Sequence, residues 1–271
     1  MIQIDRDLCT GCGKCQADCI THAIAVKDGK ACAGLGCFKC GHCVAVCPQG
    51  AVSLPCYPPE CVEYEAATFG VPTENLLNHI KFRRSIRNFK SQQISMEHLR
   101  LMLDAAGHAP TAKNTQGNRF VFIQDSLDQF KEIVWRGLRE ALAAYKENPS
   151  YDAAASLVIP HDRLERMIAE HDGSEGVDFL FRNAPAVLFV ESTDPLDAGL
   201  AASAIELVGA TLGIGALYDG YLRRVFLSNP EAQAFCDSSA EKPACACMLL
   251  GYSNVKYVRT APRRIPSICL R

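Results

Sequence analysis

The sequence lacks an excess of charge of either sign. Its 271 residues contain 28 Lys and Arg against 30 Asp and Glu, which leaves a formal net charge of -2 at pH 7. No long basic run is available to follow a nucleic-acid backbone or an anionic membrane. We therefore expect neither nucleic acid nor membrane as a partner. The apolar fraction of 48% is ample for a packed core, and the length favours two domains.

A secretory signal and long apolar runs are also lacking. Residues 1–9 have neither the charged start nor the apolar stretch of a signal peptide. The longest weakly charged stretch, residues 201–218, is interrupted by Glu206 and three glycines. It is shorter than the roughly 20 apolar residues that span a bilayer. We predict a buried helix in this stretch and a cytoplasmic location for the protein.

Patterns typical of nucleophilic or nicotinamide-binding enzymes are missing as well. No combination of Ser, His and Asp, or of Cys and His, indicates an activated nucleophile, so the catalytic residues stay unknown. No GxGxxG motif opens a helix after a strand, so a Rossmann-type nicotinamide site is not indicated. His79, His98 and His108 lie on or beside predicted helices, where capping or surface roles are favoured over metal ligation.

Cysteine, in contrast, is abundant and clustered. Nine of the 15 cysteines fall within residues 9–47, and without a signal peptide metal ligation explains them better than disulfides. A shift of 28 residues superposes residues 9–19 on residues 37–47, and the match continues to Ala23 and Ala51. This is an internal repeat. Each copy ends in a short apolar run, and we expect the two runs, residues 23–26 and 51–54, to pair as brief strands.

Each copy carries the CxxCxxCxxxC spacing of iron–sulfur proteins, in which the fourth cysteine binds the other cluster. The spacing assigns two ligand sets, namely Cys9, Cys12, Cys15 and Cys47 for one [4Fe-4S] cluster and Cys37, Cys40, Cys43 and Cys19 for the second. A pair of structural zinc sites is the alternative, but two such triplets are uncommon for zinc. Cys32, Cys56 and Cys61 are predicted to be unligated.

The repeat resembles bacterial two-cluster ferredoxins, and we assign residues 1–56 to a domain of this kind. Cys47 is followed by Pro48, as in that pattern, whereas Cys19 is followed by Ile20. Residues 57–72 are rich in proline and predict a linker. A second domain is predicted over residues 73–271.

Helical and strand patterns alternate in this second domain. Thr73 is predicted to cap a helix through Arg83, and Ser95 and Ser126 are predicted to begin two others. Strands are predicted at residues 119–124, 185–191 and 244–250. An α+β or α/β layer fold follows. Residues 145–182 are polar and weakly periodic, and we expect them to cover a site more than to build the core.

Four motifs in the second domain are individually unremarkable. Residues 83–89 (RRSIRNF) bring three guanidinium groups to a helix end, a composition suited to binding a phosphate through bidentate hydrogen bonds. A polar loop, residues 109–116 (APTAKNTQ), precedes a strand. The other two are residues 212–220 (LGIGALYDG) and the arginine-rich residues 262–266 (PRRIP).

Taken in this order, the motifs resemble the FMN-dependent nitroreductase family over residues 73–266. The resemblance implies a three-layer α/β/α domain, FMN as a cofactor and a homodimer. It implies that the opening motif holds FMN through Arg83, Ser85 and Arg87, with Arg84 as a possible addition. A C-terminal basic residue, Arg264 or less closely Arg263, would reach the FMN phosphate.

The other two motifs imply further contacts with the flavin. The turn that in the family approaches FMN from the partner subunit corresponds to Pro110, Thr111 and Ala112, with Asn114 nearby. Asp219 and Gly220 correspond to the acidic-glycine pair beside the flavin ring. The proline and tryptophan that usually follow the family's Asn-x-Gln are absent after Gln116. That difference weakens any inference about the substrate.

The two predicted domains are chemically complementary. A cluster passes one electron at a time, whereas a flavin can accept single electrons and deliver a hydride. We expect electrons to pass from two [4Fe-4S] clusters to FMN and on to a small acceptor such as a nitroaromatic or a quinone. The donor would be a one-electron carrier such as a ferredoxin, or NAD(P)H. The alternative is a non-catalytic redox sensor or electron carrier.

Overall fold

The computed structural model describes residues 1–58, 61–148, 159–173 and 178–271. The chain forms two compact units. The first comprises Met1–Val71 with Thr111–Gln116, and the second comprises Pro72–Pro110 with Gly117–Arg271. Within the described ranges, every helix is too short or too polar to cross a bilayer.

The first unit is built from short elements. These are β1 (Gln3–Ile4), α1 (Lys14–Ala17), β2 (Ile24–Lys27), β3 (Lys30–Ala33), α2 (His42–Ala45), β4 (Val52–Ser53) and α3 (Ala66–Phe69). The predicted repeat is visible in the backbone, because α1 and α2 each follow a glycine in the left-handed conformation. Gly13 has a φ of 76° and Gly41 a φ of 80°, a conformation that glycine adopts without steric cost.

The predicted pairing of the two apolar runs was wrong. β2 pairs with β3 and β4 pairs with β1, both antiparallel. The reason lies in the turn after β2, where Asp28 and Gly29 both have positive φ, at 49° and 70°. Two such residues form the tight turn that closes a two-residue hairpin. The first run is therefore paired locally, and the second returns to the N-terminal strand.

The second unit contains a four-stranded antiparallel sheet. Its strands are β5 (Arg119–Ile123), β6 (Ala186–Glu191), β7 (Ile214–Tyr218) and β8 (Ala244–Tyr252), in the order β5-β6-β8-β7. The helices are α4 (Thr73–Phe82), α5 (Met96–Gly107), α6 (Leu127–Glu147), α7 (His161–Asp172), α8 (Pro195–Thr211), α9 (Gly220–Leu227) and α10 (Pro230–Phe235). The predicted strands are confirmed within a few residues. The helix predicted for residues 201–218 was partly wrong, because α8 ends at Thr211 and residues 214–218 form β7. Between them Gly213 has a φ of 76°, a left-handed conformation that ends a helix.

Helices cover both faces of this sheet. Every residue of β6 is buried, and successive side chains point to opposite faces. Phe189 packs with α6 and α9 in one core cluster, and Leu188 packs with α5 and α8 in the other. The result is the expected three-layer α/β/α arrangement, with the core split into two halves by the sheet.

The predicted helix starts were partly right. Ser95 accepts a hydrogen bond from the backbone N–H of His98 at 3.2 Å and caps α5. Thr73 does not cap α4, because the helix already includes it and the preceding residue is Pro72. Ser126 precedes α6 without a capping hydrogen bond from its side chain. Proline at the α4 boundary pre-sets the backbone, but its side chain has no acceptor for the first N–H groups of the helix.

The expected cover over residues 145–182 falls partly outside the described residues, at 149–158 and 174–177. The prediction that this segment does not build the core was wrong for its described part. This part contains α7, and Leu164 and Met167 of α7 are fully buried in the core cluster that also holds α6 residues. Two apolar residues three positions apart lie on one helical face and are enough to dock a helix that is otherwise polar.

Candidate functional site

Two cavities in the first unit are each lined by four cysteines. The first is bordered by Cys9, Cys12, Cys15 and Cys47, and the second by Cys19, Cys37, Cys40 and Cys43. Each cavity thus takes three thiols from one copy of the repeat and the fourth from the other copy. These are the two crossed sets that the spacing assigns. A ring of thiols around a cavity is the donor set of an iron–sulfur cluster.

Backbone amides donate hydrogen bonds to several of these sulfurs. The N–H of Ala23 donates to Cys19 Sγ and the N–H of Ala51 to Cys47 Sγ, both at 3.3 Å, so the repeat extends to the cysteine environments. The N–H of Ala31 donates to Cys9 Sγ and lowers the pKa of that thiol. Such bonds stabilise a thiolate, the form that binds metal.

The described residues contain no tight group for a single metal ion. Within 1–58, 61–148, 159–173 and 178–271, no three His, Cys, Asp or Glu side chains converge closely enough to hold one ion.

In the second unit, the arginine-rich opening motif runs along the edge strand β7. The N–H of Ile86 donates to the carbonyl oxygen of Ala216 at 3.0 Å, and Ser85 forms a parallel bridge with Ala216. In an extended segment alternate residues share a side, so Arg83, Ser85 and Arg87 lie opposite the buried Ile86. The motif thus presents Arg83, Ser85 and Arg87 on one side, and Arg84 on the side of Ile86.

The arginines of this motif have different environments. Arg83 forms an ion pair with Glu206, with 2.8 Å between Nη1 and Oε1. Arg84 donates through Nη1 to the carbonyl oxygens of Lys81 and Arg83, at 3.1 and 2.6 Å, while its buried Nη2 has no hydrogen-bond partner. Arg87 is exposed. A buried guanidinium nitrogen without an acceptor fits a motif that binds an anionic group.

Asp219 and Gly220 lie where β7 leads into α9. Asp219 Oδ1 accepts the backbone N–H of Leu222 at 2.8 Å and caps α9. Burial raises the pKa of Asp219, partly offset by its bonds from backbone N–H groups. The structure therefore brings the acidic-glycine pair and the opening motif to the same strand, at its end and along its edge.

A cavity of about 410 Å³ opens beside the opening motif. Arg83 lines it together with Thr260, and the other lining residues are Asn78, His79, Phe82 and Ala210. His79 is fixed by a contact of 2.9 Å between Nε2 and the carbonyl oxygen of Leu207. Arg263 and Arg264 are exposed and follow Thr260 by three and four residues. The C-terminal basic segment thus begins at the cavity that Arg83 borders.

The predicted flavin turn divides between the two units. Pro110 ends a segment of the second unit, whereas Thr111, Ala112 and Asn114 belong to the first. Asn114 Nδ2 donates to the carbonyl oxygen of Lys39 at 3.1 Å and to the hydroxyl of Tyr57 at 3.3 Å. In the first unit these contacts tie Asn114 to the segment between two of the repeat cysteines.

Two residues at the candidate flavin site were not predicted. Glu206 and Tyr218 lie beside Arg83, and the carboxylate of Glu206 is 7% exposed. The available signal was the single carboxylate in an otherwise apolar helical stretch. In the sequence analysis, Glu206 was used only as an argument against a membrane-spanning helix. A buried carboxylate needs a partner, and that requirement points to a nearby cation such as Arg83.

Comparison with protein families matches residues 80–252 to the nitroreductase family. Residues 1–24 match a 4Fe-4S binding domain, which covers the first copy of the cysteine repeat. No curated protein matches the chain closely enough to count as a relative.

Several solved structures share the fold of the second unit. A nitroreductase with bound FMN from Bacteroides fragilis aligns with a TM-score of 0.57 and 19% identity, covering 73% of this chain and 99% of its own. A nitroreductase with bound FMN from Desulfitobacterium hafniense gives 0.52 and 22%, covering 71% and 97%. An FMN-dependent nitroreductase from Clostridium difficile gives 0.53 and 20%, covering 73% and 99%. At these identities the likeness establishes the fold.

Proposed function

The chain belongs to the nitroreductase family, and from that premise we propose that it is an iron–sulfur flavoprotein. In this proposal it passes electrons from two [4Fe-4S] clusters to FMN and then to a small organic acceptor, such as a nitroaromatic or a quinone. When bound, the clusters supply single electrons and FMN supplies a hydride. The observation that carries the proposal is the pair of cavities lined by crossed sets of four cysteines.

The chain's own residues have distinct roles in this proposal. Cys9, Cys12, Cys15 and Cys47 hold one cluster, and Cys37, Cys40, Cys43 and Cys19 hold the other. Backbone N–H groups, such as those of Ala23 and Ala51, stabilise the thiolates and tune the cluster potentials. The ligand sets follow the spacing rule and agree with the residues that border each cavity.

For FMN, the guanidinium groups of the opening motif bind the phosphate. Arg83 borders the cavity, Arg84 has a free buried nitrogen, and Ser85 and Arg87 lie on the same side of the segment. Arg264, or Arg263, completes the phosphate site. Bidentate bonds from guanidinium groups give both energy and orientation.

Asp219 and Gly220 lie beside the flavin ring in this proposal. Asp219 is rigid because its carboxylate caps α9, which leaves its backbone fixed at the end of β7. The turn of Pro110, Thr111, Ala112 and Asn114 contacts FMN in the partner subunit, as the family resemblance implies. The structures from Bacteroides fragilis and Desulfitobacterium hafniense contain bound FMN, which supports FMN as the flavin.

We further propose a cytoplasmic homodimer. Helix α4 buries none of its residues, and it exposes Leu76, Leu77 and Ile80. Adjacent exposed leucine and isoleucine side chains on one helix favour a protein interface. A ferredoxin-like protein or NAD(P)H would supply the electrons.

Turnover distinguishes an enzyme from the alternative, a redox sensor or carrier. The protein is reduced chemically without oxygen, and its reoxidation is followed by absorbance after mixing with nitroaromatics, quinones or enones. An enzyme is reoxidised by at least one of these compounds much faster than by buffer. If none of them accelerates reoxidation, the enzymatic function is excluded and the carrier alternative stands.

A further inference from the structure

A buried carboxylate, Glu206, lies in the C-terminal half of α8, on a helix whose other buried residues are mostly apolar. Its neighbours on the same helix, Ala202, Ile205 and Gly209, are all buried. Burial raises the pKa of Glu206, whereas the charge and hydrogen bond of Arg83 and a hydrogen bond from Tyr218 lower it. Because an unpaired buried carboxylate is costly, the ion pair with Arg83 stabilises Glu206 in this helix.

The contact with Arg83 leaves most of the guanidinium available. Glu206 Oε1 contacts Arg83 through Nη1 alone, at 2.8 Å, and the side chain of Arg83 is 36% exposed. The same side chain borders the cavity of about 410 Å³. A guanidinium carries five N–H donors in a rigid plane, so anchoring one nitrogen fixes the direction of the others.

Glu206 also lies beside a second predicted flavin segment. The hydroxyl of Tyr218 faces the same carboxylate, and Tyr218 is the last residue of β7, directly before Asp219 and Gly220. One carboxylate therefore contacts the opening motif and the end of the strand that leads to the acidic-glycine pair. Glu206 does not itself line the cavity, and among the described residues Arg83 is the one Lys, Arg, Asp or Glu that does.

We propose that Glu206 is a positioning residue that orients Arg83 toward the phosphate of FMN. This inference rests on the proposed FMN function and adds a residue outside the four motifs. The carboxylate acts through Arg83, holding one guanidinium nitrogen so that the remaining donors are aimed in advance. Orientation fixed before binding lowers the entropy lost when the ligand binds.

The test is a double-mutant cycle on FMN affinity, measured by quenching of flavin fluorescence with apoprotein of the full chain. Glu206→Leu should weaken FMN binding about tenfold, because Arg83 loses its anchor. Glu206→Gln, which keeps an acceptor oxygen, should restore most of the affinity. In an Arg83→Ala background, Glu206→Leu should change the affinity by less than about twofold, since the group it orients is gone.

A matched control separates positioning from general damage. Glu191 is another buried carboxylate paired with an arginine, Arg119, and neither residue lines the cavity. Glu191→Leu should lower the melting temperature and leave FMN affinity unchanged. If Glu206→Leu fails to fold, Glu206→Gln and Glu206→Ala in both backgrounds provide the cycle.

Two results would overturn the inference. One is an unchanged FMN affinity in Glu206→Leu, and the other is the same loss with and without Arg83. Failure of the wild-type apoprotein to bind FMN would instead refute the proposed function, and with it this inference. The two failures are therefore distinguishable in one titration series.

Discussion

The backbone N–H of Ile86 donates a hydrogen bond to the carbonyl oxygen of Ala216 at 3.0 Å. This bond attaches the arginine-rich motif to β7, the edge strand of the sheet. The approach is close because Gly215, the neighbour of Ala216, has no side chain, and a Cβ atom there would lie 2.1 Å from Ile86 Cγ1. The position of the candidate phosphate site thus depends on one glycine.

Gly215→Ala is therefore expected to displace the motif. The added methyl must push Ile86 away, and overpacking of this kind costs about 1–3 kcal/mol. Denaturant unfolding should show the loss, and FMN affinity should fall with it. Gly199→Ala is the control, because a Cβ atom at Gly199 meets nothing within 4 Å. Equal stability of the two variants would show that the contact with Ile86 is not required.

The crossed ligand sets predict the result of removing one fourth cysteine. Cys47→Ser should abolish the cluster of the cavity that contains Cys9, and lower the iron content from about eight to about four per chain. Cys32→Ser should keep the full content, since Cys32 lines neither cysteine cavity. Iron and sulfide analysis of anaerobically purified protein measures both. An unchanged iron content in Cys47→Ser would contradict the assignment.

Tyr57 is predicted to hold the segment Thr111–Gln116 in the first unit. Its hydroxyl accepts hydrogen bonds from Asn114 Nδ2 at 3.3 Å and from Gln116 Nε2 at 3.1 Å. Tyr57→Phe removes both, at a cost of about 1 kcal/mol per bond, and should speed amide hydrogen exchange in this segment. Tyr64→Phe, at an exposed tyrosine, should leave the exchange rates unchanged. If amide hydrogen exchange in this segment is as slow in Tyr57→Phe as in the wild type, Tyr57 does not anchor the segment.

The raised pKa of Asp219 makes folding stability depend on pH. Because burial favours its protonated form, Asp219 contributes most to stability below its unfolded pKa of about 4. That contribution is lost as the pH rises through the folded pKa. Asp219→Asn still caps α9 and stays neutral, so it should be more stable than wild type at pH 7 and equal to it near pH 4.

Chemical denaturation at both pH values measures this difference. Asp194 caps α8 through the backbone N–H of Leu196 and serves as the control. Asp194→Asn should differ little from wild type at either pH, since both side chains cap a helix well. A gap between Asp219→Asn and wild type that persists unchanged at pH 4 would exclude titration of Asp219 as its cause.

Local patterns in the sequence predicted much of the fold. The continuous apolar run of β6 predicts a strand buried on both faces, and Ser95 predicts the start of α5. The 28-residue repeat predicts that thiols of the two copies meet around two cavities. Each of these features depends on spacing or composition within a short stretch, which a single sequence displays directly.

Other features depend on contacts between distant parts of the chain. The pairing of Arg83 with Glu206 spans 123 residues, and nothing local marks either residue as the partner of the other. Strand pairing in the first unit was mispredicted because the turn at Asp28 and Gly29 pairs β2 with β3, the next strand along the chain. The grouping of Thr111–Gln116 with the N-terminal residues likewise follows from side-chain contacts that no periodicity encodes.

Electron transfer from the clusters through FMN to an acceptor is tested most directly by rapid mixing. Fully reduced protein, with FMN bound or removed, is mixed with a quinone without oxygen, and reoxidation of the clusters is followed by freeze-quench electron paramagnetic resonance. With FMN bound, the clusters should be reoxidised at least about tenfold faster than without it. Equal rates in the two samples would contradict electron transfer through the flavin.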